Sequence, residues 1–468
     1  MNNKTLFTFI GIIIGILIAT TIFGICYKSK NDINMGMPSG DRRDPPNMQD
    51  GNGTPPDKPD GNGGGGPKAS ANVTYSAANN ITENSSLSNE TFSSTTKDEN
   101  AILVDSSAIV TIDNSTINKT GDSEGGDTSS FYGNNSAILA KGGAEVTINN
   151  VNVTTDAVGA NGVFSYGGSA TTENLSTDNT TINISNSTIT TSKDNSGGIM
   201  TTGGGIMNAK NLTVTTAGIS SAAIRTDRGG GTVQVDGGTY KTTGQGSPAI
   251  YSTADVSVSN ANLIGTSSEG IIIEGKNSVS IDNCELTDSN TKLNGKSTTY
   301  KNIFLYQSMS QDAATGIAKF TAKGSNIITN NGDTFYVTNT SAVITLEDNI
   351  FKNNDTNGNF LRVQKDSWGN SGANGGDVTL TLTNQKVDGN IIVDSISTLD
   401  MTLKTNSIYE GTINGDDIAK SVTLTLDTSS KIKLTGDSYV SSLVDDVNDY
   451  SNIDFNGYKL YVNGVAIN

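Results

Sequence analysis

In this 468-residue chain, the side chains best placed to do chemistry lie close together: Arg225-Thr226-Asp227-Arg228, then Tyr251, Glu274 and Lys276. A guanidinium beside a phenol beside a carboxylate can hold a sugar or a uronate, because Arg pairs with a carboxylate and a Tyr ring stacks on a pyranose face. The same residues also read as a solvated ladder of alternating charges that supports a sheet. Trp368, the only tryptophan, sits in a Gly/Asn-rich loop, either as a stacking platform for carbohydrate or as a plug for the loop base. Because the chain has no histidine, Ser-His-Asp and Cys-His catalysis, histidine proton shuttles and His-bound zinc or iron are excluded. Asn353-x-Asp355-x-Asn357-Gly358 opens like a calcium loop, but the position where the bidentate Glu belongs is Gln364, so it reads as a turn. Asp416-Asp417 and Asp445-Asp446 are sequence neighbours that would point opposite ways on a strand, so they read as loop carboxylates in water. No catalytic residue, metal ligand or cofactor is therefore expected.

Thirty basic against 47 acidic side chains give a formal charge of −17, which argues against a nucleic-acid partner. Aromatic residues at 6%, charged residues at 16% and 53 glycines disfavour a helical bundle.

From about residue 100 one pattern recurs: two apolar residues flank a polar one, an Asn-containing turn follows, and another apolar residue comes next. It is seen in VTIDNSTI (Val110 to Ile117), VTINNVNV (Val146 to Val153), TINISNSTI (Thr181 to Ile189) and VSIDNCEL (Val279 to Leu286). With Val110 as first anchor, later anchors fall at 146, 182, 207, 233, 256, 279, Ala318, 344, 380, 401 and 424, which makes about twelve coils. Anchor and anchor+2 share the inward face of a strand, since strand side chains alternate. A unit this small buries its apolar face only against neighbouring units, and each inward aliphatic then contributes roughly 1.5–3 kcal/mol. At anchor+4 stand Asn114, Asn150, Asn186, Asn211, Gly237, Asn260, Asn283, Asp348 and Asn384, with Ala322 the main exception. These types enter the left-handed region at least cost, so the chain is expected to turn there, and stacked Asn side chains can bond along the axis. The same alignment places Ile224, Ile250 and Ile273 in one inward column, and so Arg225, Tyr251 and Glu274 in one outward row.

Over roughly residues 75–440 these repeats resemble the right-handed parallel β-helix of the pectin-lyase-like superfamily, and within it the adhesin-like surface proteins of bacteria and archaea. The resemblance implies an all-β solenoid about 60 Å long at about 4.8 Å per coil. It leaves activity open, because the superfamily holds lyases, hydrolases, esterases and non-catalytic adhesins. Arg225-Thr226-Asp227-Arg228 has two arginines but lacks the proline of the pectate-lyase motif R-x-P-x-x-R. Long spacings imply inserted loops such as Gly121 to Asn135 and Lys365 to Asp377, which in such folds line a groove on the flank.

Residues 1–30 read as a signal anchor or transmembrane segment, 31–70 as a Pro/Gly-rich linker, 71–430 as the β-helix and 431–468 as a C-terminal β cap. Leu6 to Ile25 carries no charge and is long enough to span a bilayer, with a cleaved signal or lipidation at Cys26 as alternatives. Seven of the eight prolines lie between Pro38 and Pro67, a composition that cannot bury apolar surface. Asn456-Gly457, a common hairpin pair, is read as the turn of the cap. The expectation is a membrane-anchored, cell-surface, adhesin-like protein that binds extracellular glycan or another surface without catalysis; a polysaccharide lyase or hydrolase and a structural spacer are the alternatives. Three or more carboxylates converging with Arg225 or Arg228 in one groove would favour the enzyme. Tyr251→Ala is expected to leave folding intact.

Overall fold

The computed structural model describes residues 73–169, 177–310 and 312–468. The chain divides into two units at Asn62/Gly63, and the first, with Leu6 to Ile25 and most of the linker, lies outside the described residues. Among the described residues no helix is long and apolar enough to cross a membrane.

The second unit is built almost wholly of short strands, all but the last paired in parallel with the strand one coil away, as a solenoid requires. A coil contributes up to three strands. The first set forms a 12-stranded parallel sheet, from Ser76–Ile81 through Ile224–Thr226, Ile250–Ser252 and Ile271–Glu274 to Ile391–Val393. The anchor strands and the strands after the Asn bend together make a 21-stranded sheet. The strands after the bend then continue as a four-stranded sheet ending at Ile453–Asp454.

Alternation explains which side chains go inside. Val110 and Ile112 are buried while Thr111 between them is exposed, and the pattern repeats at Val146/Ile148 and Ile182/Ile184. Successive anchors stand opposite one another: Val110 on Val146, Val146 on Ile182, Ile182 on Met207, Met207 on Val233 and Val233 on Val256. One anchor is corrected. Val279 pairs with Phe320, not Ala318, so the corner residue of that coil is Gly324 at φ +55°, and the apparent exception at Ala322 disappears. The ladder also extends one strand beyond each end of the expected twelve, to Ser85–Ser88 and Ser442–Asp445.

The bend is left-handed in nearly every coil: Asn114, Asn150, Asn186, Asn211, Asn260 and Asn283 have φ between +48° and +54°, and Gly237 takes +73°. The amides bond in steps along the axis. Asn150 Nδ2 donates to Asn114 Oδ1, Asn211 to Asn186 at 3.0 Å and Asn283 to Asn260 at 2.8 Å; where Gly237 interrupts the row, Asn260 donates to Asp236 at 2.8 Å. A second polar ladder lies inside. The Oγ atoms of Ser196, Ser221 and Ser247 accept the backbone N–H of Ala160, Ser196 and Ser221 at 2.8–3.1 Å, which satisfies buried donors at the corner before the 12-stranded sheet.

The C-terminal end differs from expectation. Lys431–Leu434 and Ile453–Asp454 pair in parallel with the preceding coils, so coiling runs past residue 430. Asn456 and Gly457 form a corner of that coil. The antiparallel turn is Asn463-Gly464, both at positive φ, which folds Val465–Ala466 back on Leu460–Val462 and covers the strand edge. Cys284 is a buried free thiol whose pKa burial pushes up.

Candidate functional site

The site stands on the outer surface of the 12-stranded sheet. There, residues opposite one another form a row along the axis: Met200, Arg225, Tyr251, Ile272, Phe304 and Tyr336. Ile250 pairs with Ile271 rather than Ile273, because the corner before Ile271 is two residues shorter than the anchor spacing implies. Glu274 therefore leaves the row expected for it and stands opposite Tyr306, still on the outward face.

Three insertions fold over this row. The first, at residues 121–135, carries the helix Gly126–Tyr132, ended by Gly133 at φ +74°. Thr202 Oγ1 donates to the Phe131 carbonyl at 2.7 Å, and the Arg228 guanidinium lies over the Phe131 ring at 4.0 Å. A second insertion follows Asp288, and Gln245 Nε2 holds it through the Leu293 carbonyl at 2.7 Å. A third follows Tyr306 and brings in Asp312. Between them is a cleft of about 390 Å³, with Asp127, Phe131, Asn294 and Asp312 from the insertions on its walls and Arg225, Asp227, Tyr251 and Tyr306 along the sheet.

The charges are mostly committed to one another. Arg225 Nη2 donates to Asp227 Oδ2 at 2.9 Å, and Nη1 to the Ser220 carbonyl at 3.2 Å. Arg228 forks onto Asp312 Oδ1 through Nε at 3.1 Å and Nη2 at 2.7 Å. Burial pushes the Asp227 carboxyl up, opposed by Arg225. Behind the phenols, buried Glu274 accepts from Tyr251 at 2.5 Å, from Tyr306 at 3.0 Å and from Ser308. Burial raises this carboxyl and both tyrosines, while the donated hydrogen bonds oppose the shift at Glu274. Asp127 is exposed and enters no ion pair among the described residues.

Of the six residues singled out from the sequence, Arg225 and Tyr251 line the cleft, Arg228 clamps one of its walls and Glu274 fixes its two phenols. Lys276 is exposed in a smaller neighbouring pocket of about 160 Å³ that shares Asp312. Trp368 packs 5.3 Å from both Phe304 and Tyr306, which matches the plug reading better than the platform. The expected pairing of an arginine with a ligand carboxylate meets an obstacle, since both guanidiniums already hold aspartates. The Asp355 loop is a turn: Asp355 accepts the backbone N–H of Asn357 and of Gly332. Among the described residues no set of three His, Cys, Asp or Glu side chains is placed to hold a metal ion.

Sequence reasoning missed Asp127, Tyr306 and Asp312, all in or beside insertions. Their signal was the long spacing, 36 residues from Val110 to Val146 around Asp127 and 41 from Val279 to Phe320 around Tyr306 and Asp312. It also missed the buried Lys301–Glu269 pair at 3.5 Å, which lies under Phe304 and Tyr336. A wider depression of about 610 Å³ on the anchor strands, with Asn208 bonded to Asn183, has no aromatic lining.

No protein-family model, no curated protein and no solved structure matches this chain.

Proposed function

We propose that this is a membrane-anchored, cell-surface solenoid of the right-handed, pectin-lyase-like type, and that its cleft binds an extracellular glycan without catalysis. The observation that carries this reading is the convergence of three sequence-distant insertions on one row of the coil stack, where they wall a polar cleft floored by two half-buried tyrosines. Loops that decorate a rigid scaffold at one place are where binding groups are built. Uncharged stretches at Leu6 to Ile25 and the proline-rich linker after it support attachment to a membrane with the body held away from it.

Hydrolysis is the second reading, and one observation favours it: Asp127, Asp227 and Asp312 share the cleft with Arg225, which is the convergence named above as favouring an enzyme. Against it, Asp227 and Asp312 are each bound by a guanidinium, so neither is free to donate a proton to a leaving oxygen. The test is a glycan array probed with the full chain, followed by incubation of each bound glycan and measurement of new reducing ends or unsaturated products. Binding without product supports the proposal. Release of product transfers the site to the enzyme reading, and a blank array overturns both.

A further inference from the structure

Resting on that glycan reading, we propose that the cleft selects a glycan bearing free amino groups, of the glucosamine type, over an acidic one. Four charged groups line the cavity, Asp127, Asp227, Asp312 and Arg225, and Arg228 stands behind Asp312 in an ion pair with it. Both cations are consumed. Arg225 gives its guanidinium to Asp227, the Ser220 carbonyl and Ser130 Oγ, and Arg228 gives two donors to one oxygen of Asp312 while its face lies on Phe131.

A uronate entering here would find no uncommitted guanidinium, because each is neutralised by its aspartate, and would face the one carboxylate left unpaired among the described residues, Asp127, with buried Glu274 behind the tyrosines. Like charges brought together in a partly desolvated cleft repel more strongly than they would in water. An ammonium finds the opposite. Asp127 is exposed and without an ion pair among the described residues, and Asp312, which lines the cleft, takes both bonds from Arg228 on Oδ1, while its second oxygen accepts no hydrogen bond among the described residues. Ammonium donates to such oxygens in charge-assisted bonds. The ring of the same sugar meets Pro248 and the tyrosines. The overall charge of −17 adds long-range attraction for a polycation and repulsion for a polyanion.

The experiment measures binding of the full chain in detergent to three oligosaccharides of equal length, a glucosamine oligomer, its N-acetylated neutral counterpart and a galacturonate oligomer, below the pKa of the amine. The glucosamine oligomer should bind tightest, by about tenfold over the neutral one, one charge-assisted bond's worth. The galacturonate should not bind, and the preference should shrink between about 0.05 and about 0.5 M salt as screening shortens. Asp127→Asn should remove most of that preference and leave the neutral ligand unaffected, whereas Asp400→Asn, exposed on the anchor strands, should change nothing. Tightest binding to galacturonate, or equal loss in both variants, overturns the inference. If array glycans bind but the glucosamine oligomer does not, the inference fails while the glycan reading stands; a blank array removes both.

Discussion

A single corner residue shows how local chemistry sets the coil. Asn150 turns the chain at φ +53°, a conformation that costs an ordinary L-residue about 1–2 kcal/mol. Asn150→Ala should therefore lower unfolding free energy by about 1–2 kcal/mol, and Asn150→Gly by less, as measured by denaturant titration. The corner was legible from sequence because the preference for left-handed backbone belongs to the Asn side chain itself. Lys119 shows the reverse. Alternation after Ile117 points it inward, yet nothing in a lysine announces that it will be fully buried, with Nζ donating to the Thr96 and Gly121 carbonyls at 2.9 and 2.5 Å. Burial lowers its pKa to about 8 from 10.5. The unfolded chain then holds more protons than the folded one between these values, so folded stability rises with pH in that window. Relative to Lys119→Met, the native chain should gain roughly 1 kcal/mol per pH unit between about 8 and 10, read by denaturant unfolding at each pH. A flat difference would place the amine in water.

At the scale of elements, strands were legible and insertions were not. Strand identity follows from period two and the corner residue, which is why eleven of the twelve anchors stand in register. Ala318 mimics Phe320 as the anchor because IAKFTAK alternates over Ile317–Lys323 without a break, so the strand can be entered two residues early with no change of face. Loop residues carry no such period, and Asp312 meets Arg228 across 84 residues. The shared carboxylate also revises one expectation. Tyr251→Ala removes a donor from buried Glu274 and opens a void, so it should cost about 2–4 kcal/mol in folding rather than nothing. Tyr251→Phe keeps the ring and should cost about 1–2 kcal/mol; equal, negligible losses in both would detach Glu274 from the phenol.

For the molecule as a whole, stability is a sum over contacts between neighbouring coils, each resting on the next. Ile148 lies at full burial between Ile112 and Ile184, so Ile148→Asp places an unpaired charge in the aliphatic column. Hydrogen exchange should show the amides of the coils around Ile112, Ile148 and Ile184 losing protection; unchanged thermal unfolding would contradict this placement. The most direct test of in-register stacking is a cysteine pair on the outward face, in a chain with Cys26→Ser and Cys284→Ala. Thr147 and Asn183 stand opposite one another. At about 4.8 Å between neighbouring strands, Thr147→Cys with Asn183→Cys should close a disulfide readily under mild oxidant. Thr147→Cys with Ser185→Cys, two residues out of register and about 8 Å apart, should not. Equal closure of both pairs, or of neither, would contradict the stacked coil.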